Sequence, residues 1–135
     1  MTETKYGKYI ITESKPDIAP DAPKAMLYLD DTVLPGALYT EAGWLQGPIT
    51  ADWTPAHTHD FDEVLVFIGA DTENPRDLCG EVELWLGDER HILTKSCVVF
   101  VPRGLKHCPV SILRADRPIF LLSAGAESGA YKRLE

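Results

Sequence analysis

The sequence predicts an all-β domain, folded as a sandwich or a barrel of short strands. From residue 25 onward, short runs rich in valine, isoleucine, leucine and aromatic residues are separated by glycine, proline and aspartate. Such runs are typical of strands, and the residues that separate them are typical of turns. No window keeps a helical period over a useful length. Many short strands with turn signals at short intervals therefore favour a sandwich or a barrel.

Length and composition place the chain among ordinary globular proteins. Its 135 residues give room for one domain with its own core. Hydrophobic residues make up 44% and charged residues 25%, which excludes a disordered chain and a coiled coil. The 13 basic and 21 acidic residues give a net charge of −8. This charge argues against nucleic acid and against an anionic membrane surface, so we expect neither as a partner.

The cysteines and the N-terminus indicate the compartment. The chain contains three cysteines, Cys79, Cys97 and Cys108, which is an odd number. The first residues contain no apolar core of signal-peptide length, and no segment approaches the ~20 apolar residues of a membrane span. We therefore predict a reduced, cytoplasmic protein with free thiols.

The predicted elements follow in order along the chain. Residues 15–24 contain three prolines with aspartates between them, which predicts an extended arm over 1–24, ahead of a single domain at 25–135. Strands are predicted at 25–29, 37–45, 49–53, 63–68, 80–86, 90–93, 97–101, 107–113 and 119–124. Residues 86–89 predict a hairpin turn. Residues 70–78 predict a polar surface loop, with a functional lid as the alternative.

A histidine cluster carries the main chemical signal. His57 and His59 are two residues apart, and Glu63 follows at the same parity. On an extended strand, residues of one parity share a face, so two imidazoles and one carboxylate project to one side. Leu65 and Phe67 continue that face inward, and the apolar residues that alternate with them predict a strand buried on both faces. Two imidazoles and a carboxylate suit a borderline divalent metal ion.

A fourth ligand is expected from a neighbouring strand, and His107 is the candidate. It follows a predicted strand and a turn in which Pro102 fixes φ and Gly104 permits a tight reversal. That turn sets His107 at the start of the next strand. The alternatives without a metal are a hydrogen-bonded core histidine at 107 and surface histidines at 57 and 59.

The stretches HTHDFDE and PRGLKH resemble the two sequence motifs of the cupin superfamily, and the resemblance extends over about residues 37–124. The matching positions are His57, His59 and Glu63 in the first motif and Pro102, Gly104 and His107 in the second. The chain departs from the family pattern at four positions that are not ligands in the family. Ala51 and Ala70 replace the glycines of the first motif, and Ser96 and Ser111 replace a glycine and an asparagine of the second. These departures concern loop geometry more than metal binding.

The resemblance implies a double-stranded β-helix, the jelly-roll barrel of the cupin type, with one divalent metal ion inside near one mouth. Cupins carry Fe, Mn, Ni, Zn or Cu at this site, and the sequence does not distinguish among them. Four protein ligands leave one or two positions for water or substrate. Small cupins commonly pair through sheet edges and faces, so we expect a homodimer, with the arm at 15–24 reaching toward the partner.

Three residues beside the expected ligands are candidates for substrate binding. Arg103 and Lys106 lie in the turn before His107, where their positive charge suits a substrate carboxylate or phosphate. The alternative for both is a solvated turn. Phe61 has the parity of the ligands and is expected to wall the pocket. Cys108 follows His107 directly and should point away from the metal by strand alternation.

The sequence leaves two classes of function open. The first is a metalloenzyme that acts on a small organic molecule by dioxygenase, isomerase or lyase chemistry, as implied by similar small cupins. The second is a non-catalytic module that binds a metal or a small ligand for sensing or storage. A substrate-sized pocket beside a free metal position would favour the enzyme. A filled barrel, or a metal saturated by protein ligands, would favour the module.

Overall fold

The computed structural model describes residues 4–12, 27–50 and 55–126. Within these ranges the regular structure consists of one short 3-10 helix, Gly7–Tyr9, and eight strands. The strands are β1 (Leu27–Leu29), β2 (Tyr39–Leu45), β3 (Glu63–Gly69), β4 (Asp77–Leu86), β5 (Glu89–Lys95), β6 (Cys97–Val101), β7 (His107–Ala115) and β8 (Ile119–Gly125). The prediction of an all-β domain is confirmed. No helix in the described ranges has the length and apolar character of a membrane span.

The strands form two antiparallel sheets. One sheet has five strands in the order β1-β2-β8-β3-β6, and the other has three in the order β5-β4-β7. Strand β8 lies between β2 and β3, although it follows both of them late in the chain. Its last residue, Gly125, lies opposite Tyr39 of β2 on one side and Glu63 of β3 on the other. This strand order is that of a jelly roll, in which strands from the beginning, the middle and the end of the chain lie in the same sheet.

The hydrophobic core lies between the two sheets. In β3 and β4 the buried side chains recur at every second position over most of each strand, as expected where one face of a sheet covers a core. Phe67 of β3 and Val82 and Leu84 of β4 are 0% exposed and belong to one cluster of contacting side chains. Full burial of such a side chain stabilises the fold by about 1.5–3 kcal/mol. One face of each sheet therefore supplies the core.

The outer face of the five-stranded sheet differs from the prediction. Val64 and Val66 of β3 are partly exposed and Ile68 is 41% exposed, so β3 is not buried on both faces. On β6, Phe100 lies opposite Val64 and is 59% exposed. The physical reason is that two packed antiparallel sheets cover only the inner face of each other. The apolar outer positions of β3 therefore form a surface rather than a second core.

The predicted strand at 49–53 is only partly within the described residues. Ile49 forms an isolated bridge with Ile112 of β7, with backbone N–H···O distances of 3.0 and 2.9 Å. Residues 51–53 lie outside the described ranges. The described residues at 49 and 50 therefore make one cross-strand contact and do not form a continuous strand.

The predicted loop at 70–78 is shorter than expected, because β4 already begins at Asp77. Two hydrogen bonds of the Ser96 hydroxyl hold the loop: it donates to Pro75 O at 2.6 Å and accepts from Gly69 N at 3.0 Å. The loop follows the end of β3 that is opposite Glu63. Six residues of strand separate these two ends by about 20 Å. The loop therefore lies far from the histidine cluster.

The predicted arm is described over residues 4–12. Tyr6, Tyr9 and Ile10 are all strongly exposed there, and residues 13–24 lie outside the described ranges. The division into an arm at 1–24 and a domain at 25–135 therefore stays a prediction. None of the three cysteines, which all lie within the described ranges, forms a disulfide.

Candidate metal centre

Backbone pairing brings the two predicted motifs together. His57 and His107 form an isolated antiparallel bridge in which each N–H donates to the other residue's carbonyl at 3.0 Å. Side chains of directly opposed residues lie on the same face. The carbonyl of His59 accepts from Gly104 N at 2.9 Å, so the turn before β7 also packs on the first motif. Glu63 then begins β3 on the inner face of its sheet.

The four predicted ligands lie together in the interior. The side chains of His57, His59, Glu63 and His107 are between 1% and 5% exposed. The ring centroids of His57 and His59 are 4.7 Å apart, those of His57 and His107 4.5 Å, and those of His59 and His107 5.0 Å. Three imidazoles in mutual contact beside a carboxylate form a dense cluster of potential metal donors.

Backbone carbonyls fix the protonation of two of these rings. Nδ1 of His57 lies 2.6 Å from the carbonyl oxygen of Pro55, and Nδ1 of His107 lies 3.0 Å from that of Leu105. A carbonyl oxygen can only accept a hydrogen bond, so each Nδ1 carries the hydrogen. The lone pair of each neutral ring is then on Nε2, which is the arrangement of metal-binding histidines.

Glu63 lies where its carboxylate could share a cation with His59 and His107. Its Oε1 is 3.0 Å from Nε2 of His107 and 3.6 Å from Nε2 of His59. A carboxylate oxygen and an imidazole lone pair are both acceptors, so a proton or a metal ion must lie between them. Two donors about 2.1 Å from one ion are about 3.0 Å apart at a right angle and about 3.4 Å apart in a tetrahedron. These residues therefore fit a divalent cation.

Donor atoms in the cluster form two overlapping triads. His59, Glu63 and His107 offer ligand atoms that all lie within 4.8 Å of one another, and so do His57, His107 and Cys108. The expectation that Cys108 points away from the site is therefore wrong. Strand alternation fails here because β7 contains a bulge between its pairings with Leu84 and Leu86 of β4. His107 belongs to both triads and is the centre of the cluster.

Phe61 packs against one side of the cluster, beside His59, and its expected role in walling a substrate pocket stays a prediction. The ring is 4% exposed, and its centroid lies 4.6 Å from that of His59 and 6.4 Å from that of Tyr39. Gly125 makes this packing possible, because a Cβ there would lie 2.3 Å from a ring carbon of Phe61. Sequence reasoning missed Gly125. The available signal was a glycine at the end of a predicted strand, which often marks a close approach.

Arg103 and Lys106 are exposed in the turn between β6 and β7. The turn is held at the first motif, because Arg103 N donates to Asp62 Oδ1 at 2.8 Å. The Asp62 carboxylate therefore holds the turn by a hydrogen bond to the turn's backbone. The role of both cationic side chains in substrate binding stays a prediction. His91, the remaining histidine of the chain, lies on β5 beside Glu89 and away from the cluster.

Comparison with known proteins supports the fold. No protein-family model matches the chain, and no curated protein matches it in sequence. An uncharacterized conserved protein with a double-stranded β-helix domain from Klebsiella pneumoniae is similar in structure, with a TM-score of 0.58 and 14% identity over 97% of this chain and 94% of that one. A cupin protein from Bacteroides fragilis gives a TM-score of 0.49 at 18% identity, over 88% of this chain and 87% of that one. FeII HppE gives 0.47 at 16% identity over 67% of this chain, which spans 43% of that chain's length.

The likeness to the Klebsiella protein, together with the strand order, establishes the fold. This chain has a double-stranded β-helix fold, so the predicted jelly roll is confirmed.

Proposed function

We propose that the protein is a metal-dependent enzyme, with one divalent ion held by His57, His59, Glu63 and His107. The observation that supports this most directly is the setting of His107. Its two ring nitrogens face Leu105 O and Glu63 Oε1, each at 3.0 Å, in a fully buried position. A neutral imidazole has one N–H and satisfies only one of these oxygens. A cation at Nε2 satisfies the other and offsets the charge of the buried carboxylate.

The residues around the cluster suit a small-molecule active site. A bound ion with open positions supplies Lewis-acid chemistry toward a substrate oxygen. The carbonyls of Pro55 and Leu105 hold the hydrogens on Nδ1 and so keep two imidazole rings oriented. Phe61 excludes water from one side of the cluster. We infer a small organic substrate, with dioxygenase, isomerase and lyase chemistry as the reaction classes, and Fe, Mn, Ni, Zn and Cu as the candidate metals.

Elemental analysis of the purified protein tests the metal centre. We expect about one divalent ion per chain, because the four side chains form a single cluster of donors. A chelator should remove the ion and lower the melting temperature, and reloading should reverse this. At a free metal concentration 100-fold above Kd, the ion contributes about 2.7 kcal/mol. Protein that takes up no stoichiometric metal after reloading would contradict the proposal.

A non-catalytic binding module is the second candidate, and burial of the cluster favours it. All four side chains are at most 5% exposed, as expected for an ion enclosed by protein. A cobalt-loaded sample distinguishes the two functions. If the ion has an open position, azide or a small hydroxamate should change the visible spectrum of Co²⁺. An unchanged spectrum at saturating ligand would favour the module over the enzyme.

We propose that the substrate carries a carboxylate beside a metal-chelating oxygen. The chain has a net charge of −8, so an anionic ligand needs local cations such as Arg103 and Lys106. In a thermal-shift screen on metal-loaded protein, small carboxylates such as 2-oxo acids should stabilise the wild type more than Arg103→Ala. Arg90→Ala is the matched control, because Arg90 is an exposed arginine on β5 bound to Glu83. Equal thermal shifts in the wild type and Arg103→Ala would show that Arg103 does not contribute to carboxylate binding.

We also propose a homodimer that forms through the outer face of the five-stranded sheet. The register places an outer apolar patch there, formed by Trp44, Ile68, Val98 and Phe100. These four side chains are between 41% and 65% exposed. Contiguous apolar side chains of this kind mark protein interfaces, and a second copy presents the same patch.

Light scattering tests the dimer directly. At micromolar concentration the wild type should have twice the chain mass of 15.0 kDa. Phe100→Asp should shift the mass toward the monomer, because the carboxylate would be desolvated in the interface. Ile92→Asp is the control, since Ile92 is exposed on the other sheet. A monomeric wild type would refute the dimer.

A further inference from the structure

We propose that Cys108 is a further donor to the ion at His107, so that a thiolate sulfur joins the imidazoles and the carboxylate. The inference rests on the proposed metal centre and assigns a residue that the first and second motifs do not contain. Cys108 is 7% exposed, and its Sγ lies within 4.8 Å of a ring nitrogen of His57 and of His107. A thiol and two buried imidazoles together offer the donor types that zinc and copper prefer.

A bulge in β7 explains why Cys108 is on this side of the strand. Leu84 and Leu86 of β4 are two residues apart, whereas their partners on β7, Val110 and His107, are three apart. The extra residue on β7 interrupts alternation and re-aims a side chain, as bulges beside active sites do. Cys108 also has φ of +71°, a value that non-glycine residues rarely adopt. The thiol is consequently buried with His107 instead of facing solvent.

Both triads contain His107, so an ion bound at this residue is close to the donors of each triad. With metal–nitrogen bonds of about 2.0–2.1 Å and metal–sulfur bonds of about 2.3 Å, the nitrogen and sulfur donors of a tetrahedral ion lie about 3.6 Å apart. The donor atoms of the triad lie within 4.8 Å of one another, so side-chain movement can bring them to this separation. A thiolate donor shifts the preference of the centre toward zinc and copper and away from manganese. The competing role for Cys108 is core packing, since it also contacts the hydrophobic cluster.

Cobalt substitution tests the proposal without using activity. In wild-type protein, Co²⁺ should produce visible ligand-field bands and, in the near ultraviolet, a sulfur-to-metal charge-transfer band. Cys108→Ser should lose the charge-transfer band completely while keeping the visible bands. Cys97→Ser should keep both, because Cys97 lies on β6 outside both triads.

The outcomes separate this inference from the proposed metal centre. Visible bands without a charge-transfer band in the wild type would overturn ligation by Cys108 and leave the metal centre intact. Absence of all cobalt bands would overturn both. X-ray absorption of zinc-loaded wild type needs no variant and covers the case in which Cys108→Ser does not fold. We expect a zinc–sulfur shell at about 2.3 Å, and a shell of only nitrogen and oxygen at about 2.0–2.1 Å would overturn the proposal.

Discussion

Replacing His107 with alanine should abolish stoichiometric metal binding. His107 belongs to both donor triads, and its Nε2 lies 3.0 Å from Glu63 Oε1. Its loss removes one ligand and leaves the buried carboxylate without its nearest partner. Loss of a residue that merely orients a ligand costs about 10–100-fold in affinity, so loss of the ligand should cost more than 100-fold. His59→Ala should have the same direction of effect. Elemental analysis and competition titration with a metal indicator measure both.

His91→Ala is the matched control for these variants. His91 is the remaining histidine of the chain and lies on β5, where its ring nitrogen is 3.2 Å from Glu89. The variant should retain the metal content and affinity of the wild type. Circular dichroism of each variant checks that the sheets are formed. If folded His59→Ala and His107→Ala both kept one ion per chain, the proposed ligand set would be wrong.

Leu84→Ala should cause a large loss of stability. Leu84 is 0% exposed in β4, the central strand of the three-stranded sheet, and packs in the cluster between the sheets. Truncation removes apolar contacts and leaves a cavity, which costs about 2–5 kcal/mol for a buried leucine. Chemical denaturation in urea, with the metal content held constant, measures the change in the free energy of unfolding.

Leu113→Ala provides the control with the same chemical change. Leu113 is 43% exposed on β7 of the same sheet. Substitution at an exposed position should change the free energy of unfolding by no more than about 0.5 kcal/mol. Similar losses in Leu84→Ala and Leu113→Ala would show that the core does not lie between the sheets as described.

Strand positions and the histidine cluster were accessible to sequence reasoning because they follow local periodicity. The period of two that places His57, His59 and Glu63 on one face also orients Leu65 and Phe67 toward the core. The second motif predicted His107 through its turn, and the structure pairs His107 with His57. These predictions require only that the chain be extended, which is a property of neighbouring residues.

Local patterns were sufficient to predict the all-β class, most strand positions and the residues of the histidine cluster. The exposure of the outer side of β3 and the position of Cys108 beside His57 follow from how distant strands pair and pack. Burial depends on which sheet covers which face, and apolar content cannot distinguish a core face from an interface. The bulge in β7 depends on its register with β4, a non-local pairing that no local pattern encodes. The alternation of side chains along a strand therefore predicts which face a residue occupies only where the strand pairing is regular.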